Sequence, residues 1–236
     1  MKLAVNVDHY ATLREARRST EPEPVLAALL AEQAGAEGIV CHIRSDRRHI
    51  TERDLRLLRG TIKTRLNVEM AATDEMKAIA LEIKPHVVSL VPERPEELTT
   101  EGGLDVITHQ KHLGPHIQEL QDAGIRVSIF VDMDTEQISA CHKLGVDMIE
   151  INTGPYADAE SEAEQSRALE NIIRSARHGA DLGLLVHAGH GLDYHNIQPI
   201  VEIEEIEELS IGFSIVARSA IVGIDLAVQE MVALIS

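Results

Sequence analysis

The sequence predicts an α/β protein, a (β/α)8 TIM barrel with additional helices, that forms a single catalytic domain over residues 1–236. Eight short apolar runs rich in Val and Ile recur along the chain, and continuous apolar runs are typical of parallel strands covered on both faces. Segments with helical patterns separate the runs, and several end at a glycine placed where a helix C-cap is wanted. The chain length also suits one closed barrel.

The predicted strands are distributed from the amino terminus almost to the carboxyl terminus. They are Leu3–Val7, Gly38–Ile43, Leu66–Met70, His86–Val91, Val127–Val131, Met148–Ile151, Leu184–Val186 and Leu209–Ile215. The main alternative is an open doubly wound sheet, but no G-x-G-x-x-G turn follows the first strand, which disfavours a dinucleotide-binding version.

The predicted helices fill the intervals between these strands. They include Pro24–Gly35, Ile117–Ala123, Thr135–Leu144, Glu160–Leu182 and Ala217–Ile235. Two further helices are expected to begin at Thr51 and Thr73, because each threonine is followed by acidic residues in a capping-box pattern. The stretch Pro92–Thr108 lacks a helical period and is predicted to be an extended loop after the fourth strand.

The charge and composition exclude several functions. A formal net charge of −17 disfavours nucleic-acid binding and attachment to anionic membranes, since both need a basic surface. The acidic runs Ala159–Glu164 and Glu202–Glu208 are expected to be solvated. No signal-peptide pattern and no apolar stretch of about 20 residues is present, so a cytoplasmic protein is expected. Cys41 and Cys141 are expected to be buried free thiols.

Polar side chains interrupt or end almost every predicted strand. They are Asn6, Asp8, His9, His42, Arg44, Glu69, Glu93, Asp132, Glu150, Asn152 and His187. Because the carboxyl ends of barrel strands meet at one face, these groups are expected to share one cavity, which avoids the cost of burying each charge separately. Glutamates within apolar strands should have raised pKa values, and with several histidines they suit stepwise acid/base chemistry.

Two places are candidates for binding phosphate. The Gly-rich turn Ala188–Gly191 follows the seventh strand, and Gly212 precedes a helix start after the eighth, an arrangement that barrels use for phosphate. Arg44 is the second candidate, since it lies two residues beyond His42 and should share its face of the strand.

A metal site is not expected, because His187 and His190 lie in a turn and no HExxH motif is present. The sequence contains no G-x-S-x-G motif, so a serine nucleophile is not expected.

The chain resembles the pyridoxine 5′-phosphate synthase family over nearly its whole length. The matching segments are Val5–Arg14, Glu32–Ala36, His42–Arg44, Asp46–Thr51, Asn67–Met70, Leu90–Glu93, Thr99–Val106, Glu150–Gly154, Tyr156–Asp158, Ala188–Leu192, Tyr194–Asn196 and Ile211–Gly212. The runs DRRHIT and TTEGGLDV are the most specific. The resemblance implies a (β/α)8 barrel, assembled as a homo-octamer, that needs no organic cofactor or metal.

The same resemblance implies a reaction and the residues that perform it. 3-Amino-2-oxopropyl phosphate would condense with 1-deoxy-D-xylulose 5-phosphate to give pyridoxine 5′-phosphate, phosphate and water. By likeness to the family's motifs, Glu69 would be a general base, His42 a second acid/base group and His190 a proton donor. Glu150 would be an additional carboxylate near the reacting centre. The aminoacetone phosphate would be bound by Asn6, Arg17, Gly191, Gly212 and Phe213. The deoxyxylulose phosphate would be bound by Asp8, His9, Arg44, His49 and Thr99. Phe213 departs from the histidine expected in many members.

Two other functions are compatible with the pattern of strand ends. One is a phosphate-binding barrel without catalysis, which the presence of His42, Glu69 and His190 disfavours. The other is an isomerase or aldolase acting on sugar phosphates, and a metal-dependent aldolase would use the histidine cluster after the seventh strand. A Schiff-base aldolase would need a lysine in or at the end of a strand, and none of the predicted strands carries one.

Overall fold

The computed structural model describes residues 1–93 and 102–236. Within these ranges, eight parallel strands close into one barrel in chain order, with β8 paired to β1. The strands are β1 Lys2–Asn6, β2 Gly38–His42, β3 Arg65–Met70, β4 Val87–Leu90, β5 Arg126–Val131, β6 Met148–Asn152, β7 Leu185–Gly189 and β8 Ile206–Ile211. The predicted barrel is therefore confirmed.

Helices surround the barrel and connect successive strands. They are α1 Asp8–Arg17, α2 Pro24–Ala34, α3 Glu52–Thr61, α4 Asp74–Ile83, α5 Val106–Asp122, α6 Thr135–Lys143, α7 Gly154–Ala157, α8 Glu162–Asp181, α9 Gln198–Val201, α10 Phe213–Val222 and α11 Ile224–Ile235. The expected helix starts are confirmed, since Thr51 forms a capping box with Asp54 and the Thr73 side chain accepts a hydrogen bond from the Met76 amide.

Alternation along each strand divides the buried side chains into two layers. Residues such as Leu3, Val5 and Cys41 face the helices and join the main apolar core. Residues paired in register with Ala4, such as Ser210, face the barrel interior. Both cysteines are buried free thiols, as expected, and burial raises the pKa of the Cys41 thiol well above its usual range. Because side chains alternate, Cys41 faces away from the neighbouring His42.

The eighth strand differs from its predicted position. The apolar run Leu209–Ile215 crosses from strand into helix: β8 ends at Ile211, and Phe213 begins α10, which turns Ile215 towards the core. The pattern could not separate the two elements, because both bury aliphatic residues. The carboxyl-terminal helix predicted over Ala217–Ile235 is likewise two helices, separated at Gly223.

The acidic run before this strand is only partly solvated. Glu207 is exposed, but Glu208 faces the barrel interior with 3% of its surface accessible. Its carboxylate accepts a hydrogen bond from the Arg65 guanidinium across the barrel. A cation from a distant strand thus compensates the buried charge, which a pattern of neighbouring residues could not predict.

Three smaller expectations are also corrected. Helix α1 follows β1 directly and was not predicted. The loop expected over Pro92–Thr108 ends earlier, because Asp105 caps α5 at Val106 through the Thr108 amide. Lys2 opens β1, so a lysine does lie in a strand; it sits at the amino end, opposite the predicted site.

Candidate active site

The ends of β1 and β2 are tied together by one carboxylate. Asp8 begins α1 immediately after β1 and is 8% exposed. Its Oδ2 accepts a hydrogen bond from Asn6 Nδ2 at 3.0 Å, and its Oδ1 accepts one from the His42 backbone amide at 2.8 Å. Asp8 therefore holds the carboxyl ends of two neighbouring strands in a defined relation.

His42 lies between two carboxylates at the end of β2. Its Nε2 is 3.0 Å from Glu93 Oε1, and its Nδ1 is 3.8 Å from Glu69 Oε2. Glu69 is directly opposite His42 in the β2–β3 register, so barrel closure creates this pair. Glu93 follows β4, at the end of the first described range. The sequence placed Glu93 at a strand end without indicating its contact with His42.

Two glutamates at the strand ends have pKa values above the ordinary range of a carboxyl group. Burial, together with the carboxylates of Glu150 and Asp8, raises the pKa of Glu69 well above its usual range. Burial also raises the pKa of Glu150 to about 7. Glu150 fits against Gly189 so closely that a methyl group there would overlap its Oε1. The expectation of raised pKa values in both carboxyls is thus met, and their physical cause is desolvation.

The loop after β2 brings a second imidazole beside His42. The ring centroids of His42 and His49 are 6.1 Å apart, and burial lowers the pKa of His49, which favours its neutral form. Arg14 fixes this loop: it donates to the His49 carbonyl at 3.0 Å while its guanidinium pairs with both oxygens of buried Asp54. Arg44 is 3% exposed, and its Nε is 3.9 Å from Asp46 Oδ1.

The turn after β7 has two successive residues with positive φ. His190 and Gly191 both have positive φ, 86° and 74°, so successive amides turn out of the strand direction. Thr153 after β6 supports the turn, because its hydroxyl donates to the carbonyls of Gly189 and His190 at 2.7 and 2.6 Å. The His190 ring also lies 6.4 Å from Phe130 on β5, centroid to centroid.

The turn after β8 lies beside the first strand. Gly212 packs so near Asn6 that a Cβ there would be 3.1 Å from the Asn6 Cβ. Phe213 begins α10 and is 70% exposed, and its ring contacts His9 edge to face at 5.4 Å. Asn6, His9 and Gly212 therefore lie close together on the rim of the barrel, which is the face formed by the carboxyl ends of the strands.

Several expected residues lie elsewhere or outside the described ranges. Thr99 is not among the described residues. Arg17 is exposed in the last turn of α1, about 14 Å along the helix from Asp8. His187 lies inside β7 rather than at its end, where burial and the cations of Arg65, Arg126 and Lys2 lower its pKa to about 3. His187 is therefore neutral and does not belong to the acid/base cluster.

Asn152 and Asp132 form a bridge that the sequence did not predict. Asn152 Nδ2 donates to Asp132 Oδ1 at 2.9 Å, and the same carboxylate oxygen accepts from the Gly103 amide at 2.9 Å. Gly103 packs directly against the end of β5, where a Cβ would overlap the backbone. These contacts hold the start of the second described range against the rim of the barrel.

Together the fold and the rim define a (β/α)8-barrel protein equipped for acid/base chemistry. Carboxyls with raised pKa values, neutral imidazoles and two glycine turns gather at the carboxyl ends of the strands, where such barrels place their reactive groups. Among the described residues, no group of three or more His, Cys, Asp or Glu is arranged to hold a metal ion. In the same part of the chain, no helix combines the length and apolar character needed to span a bilayer.

Comparison with known proteins identifies the family. Residues 3–236 match the family model described as pyridoxal phosphate biosynthesis protein PdxJ, and the chain belongs to this family. Among similar proteins, the pyridoxine 5′-phosphate synthase of Syntrophotalea carbinolica is 56% identical over 97% of this chain and 96% of its own. The pyridoxine 5′-phosphate synthase of Thermosynechococcus vestitus is 55% identical, over 99% of this chain and 98% of its own.

Solved structures of low sequence identity share the fold. The thiamine phosphate pyrophosphorylase from Pyrococcus furiosus superimposes with a TM-score of 0.63 at 17% identity, covering 99% of this chain and 95% of that chain. KGPDC from Streptococcus mutans superimposes with a TM-score of 0.64 at 11% identity, covering 99% and 96%. At these identities the likeness concerns the barrel alone.

Proposed function

We propose that this chain is an enzyme, a pyridoxine 5′-phosphate synthase. It condenses 3-amino-2-oxopropyl phosphate with 1-deoxy-D-xylulose 5-phosphate and releases pyridoxine 5′-phosphate, phosphate and water. The observation that carries the proposal is the cluster in which Glu69 faces His42 at 3.8 Å with Glu150 nearby, in a chain 56% identical to a protein named for this activity.

Each chemical step moves a proton, which suits several groups with different pKa values. Imine formation, enolisation, loss of water and phosphate, and ring closure all need a proton added or removed. Glu69 serves as a general base with high proton affinity, His42 as a second acid/base group and His190 as a proton donor. Glu150, with a pKa of about 7, stabilises charge near the reacting centre. No metal or organic cofactor takes part.

Two phosphorylated substrates need two anion sites. The aminoacetone phosphate binds at Asn6 and the amides of Gly191, Gly212 and Phe213, with Arg17 as a further cation. Support comes from the positive φ of Gly191 and from the packing of Gly212 on Asn6. In this arrangement Phe213 contributes its backbone amide, which is consistent with a side chain that is 70% exposed.

The deoxyxylulose phosphate binds on the other side of His42. Its ligands are Asp8, His9, Arg44, His49 and Thr99, of which Thr99 lies outside the described residues. The His49 loop, anchored by Arg14 and adjacent to His42, supports this position. Arg44 supplies the buried cation, and arginine is well suited to bidentate contact with a phosphate group.

Self-association is part of the proposal. Large apolar side chains are exposed on four helices that neighbour one another: Leu13 on α1, Leu26 on α2, Ile221 on α10 and Leu226 on α11. Large apolar side chains left exposed on neighbouring helices support an interface between subunits. The proposed assembly is a homo-octamer, and the proposed location is the cytoplasm.

A direct assay tests the activity. The purified protein is mixed with both phosphorylated substrates without added metal, and the absorbance of a pyridine product and the release of phosphate are followed. One molecule of phosphate should be released for each molecule of pyridine product formed. Absence of product at high enzyme concentration would overturn the assignment.

Substitution of Glu69 tests the mechanism. Glu69→Gln keeps the shape of the side chain but removes the base, so turnover should fall by at least about 100-fold. The midpoint of urea unfolding should not decrease, since the variant removes a carboxyl whose ionisation burial opposes. Retained turnover would remove Glu69 from the mechanism.

A further inference from the structure

Glu93 is held by hydrogen bonds at both of its oxygens. Oε1 is 3.0 Å from His42 Nε2, while Oε2 accepts the Ser45 amide at 3.0 Å and the Ser45 hydroxyl at 2.8 Å. The side chain of Glu93 is 10% exposed and that of His42 is 5% exposed. Burial alone would raise the pKa of Glu93, but the hydrogen bonds from His42 and Ser45 outweigh it and lower that pKa to about 2.

An ionised carboxylate determines which nitrogen of His42 carries hydrogen. A carboxylate can only accept, so the His42 nitrogen that faces Glu93 must be the donor. In the neutral ring the hydrogen is therefore on Nε2, and the lone pair is on Nδ1. That nitrogen points towards Glu69, whose Oε2 is 3.8 Å away.

We propose that Glu93 is a positioning residue that acts through His42. It orients the imidazole so that Nδ1 exchanges a proton with Glu69, and it holds the positive charge that the ring acquires. The inference rests on the proposed synthase function, and it adds to that function a residue that binds neither substrate.

The proton transfer is balanced within the three side chains. After Glu69 has taken a proton from the substrate, its O–H bond breaks, the proton forms an N–H bond at His42 Nδ1, and Glu69 becomes a carboxylate again. The resulting imidazolium lies against the Glu93 carboxylate, as the imidazolium of a serine-protease triad lies against its aspartate. At 3.8 Å the two atoms are too far apart for a direct hydrogen bond, and catalytic contacts of this kind commonly shorten when substrate binds.

Other charged or titratable groups also lie near His42. His49 places its ring near that of His42 on the same loop, and Asp8 accepts the His42 backbone amide. Arg44 is two residues further along the chain. Glu93 is distinguished from these by its contact with the ring nitrogen itself.

Nitrogen NMR of the imidazole provides a readout that does not depend on turnover. Protein labelled with ¹⁵N-histidine is studied in the solid state, and the His42 signals are assigned by comparison with His42→Asn. In the parent, the neutral ring should carry its hydrogen on Nε2. In Glu93→Ala the preference for this tautomer should be lost. A hydrogen on Nδ1 in the parent, or an unchanged tautomer in Glu93→Ala, would overturn the inference.

Glu93→Gln removes the charge of Glu93 and leaves a single accepting oxygen. His42 Nε2 and the Ser45 amide compete for that oxygen, so the Nε2–H tautomer should be less populated than in the parent, while kcat falls about 10- to 100-fold and KM stays within about twofold. The acidic limb of the pH–rate profile should move to lower pH, because the imidazolium has lost its counter-charge. Parent-like kcat and pH profile in this variant would refute the role.

A matched control variant tests whether removal of any negative charge from the protein has the same effect. Glu170 is exposed on α8, so Glu170→Gln removes one negative charge without touching the rim, and it should change neither the tautomer nor the pH profile. Circular dichroism of each variant checks folding. If the parent itself lacks synthase activity, the proposed function fails, and the tautomer measurement still decides whether Glu93 orients His42.

Discussion

Glu150 should make the stability of this protein depend on pH in an unusual direction. Its pKa is about 7 in the folded chain against an ordinary value of 4.5. Below pH 4.5 both states bind the proton, and as pH rises from there to 7 the unfolded state ionises first, which destabilises the fold. At pH 8 this cost is roughly 3 kcal/mol, and at pH 5 it is less than about 1 kcal/mol.

Glu150→Gln removes the ionisation and keeps the side-chain shape. The free energy of unfolding of the variant minus that of the parent should therefore increase by about 2 to 3 kcal/mol between pH 5 and pH 8. Loss of the Glu150 charge also relieves Glu69, whose pKa it raises, and this contribution has the same sign.

Urea unfolding at several pH values measures the difference. Protomer concentration is held constant, because subunit association shifts apparent stability. Glu170→Gln, at an exposed glutamate on α8, serves as the control and should differ from the parent by an amount independent of pH. A difference for Glu150→Gln that is equally flat would show that burial does not raise the Glu150 pKa.

Three further predictions concern the turns and the barrel interior. Gly191→Ala and Gly183→Ala both place a side chain at positive φ, but only at Gly191 does the new Cβ overlap another atom, Ala157 Cβ at 2.5 Å. Calorimetry should show that Gly183→Ala lowers the free energy of unfolding by about 1 kcal/mol and that Gly191→Ala lowers it clearly more. Gly191→Ala should also weaken phosphate binding. Glu208→Gln leaves the Arg65 charge without its buried partner, so urea unfolding should show a loss of about 3 to 5 kcal/mol, whereas a loss below about 1 kcal/mol would contradict the pairing. Phe213→His should leave KM for 3-amino-2-oxopropyl phosphate within about twofold if only the backbone amide binds; a larger change would assign a role to the side chain.

Local patterns predicted the eight strands of the barrel and most of the helices between them. Aliphatic runs mark strands because a parallel strand inside a barrel is covered on both faces. Thr51 and Thr73 mark helix starts because their hydroxyls satisfy amides that the helix leaves unpaired. The patterns were ambiguous where one aliphatic run served two elements, as at Leu209–Ile215, since a strand and a helix can both bury such residues.

The sequence also indicated that polar groups gather at the strand ends, because a polar residue at the end of an apolar strand is costly to bury unless it lines a shared polar cavity. Glu69 and Glu150 were expected to be hard to ionise, and the raised pKa values agree. The particular pairings could not be inferred from sequence alone. His42 meets Glu69 because the β2–β3 register sets them side by side, and it meets Glu93 because Glu93, just after β4, lies against Ser45 in the loop after β2.

The acidic run Glu202–Glu208 also separates what the sequence predicts from what the tertiary structure decides. Composition alone indicated a solvated surface, and Glu207 fits that expectation. The next residue, Glu208, is buried because alternation turns it into the barrel, where Arg65 from β3 neutralises it. Sequence therefore determined most of the strands and helices and which polar groups stand at the strand ends. Tertiary structure decided which of those groups touch, because closure of the barrel brings together residues that lie on different strands and far apart in the chain.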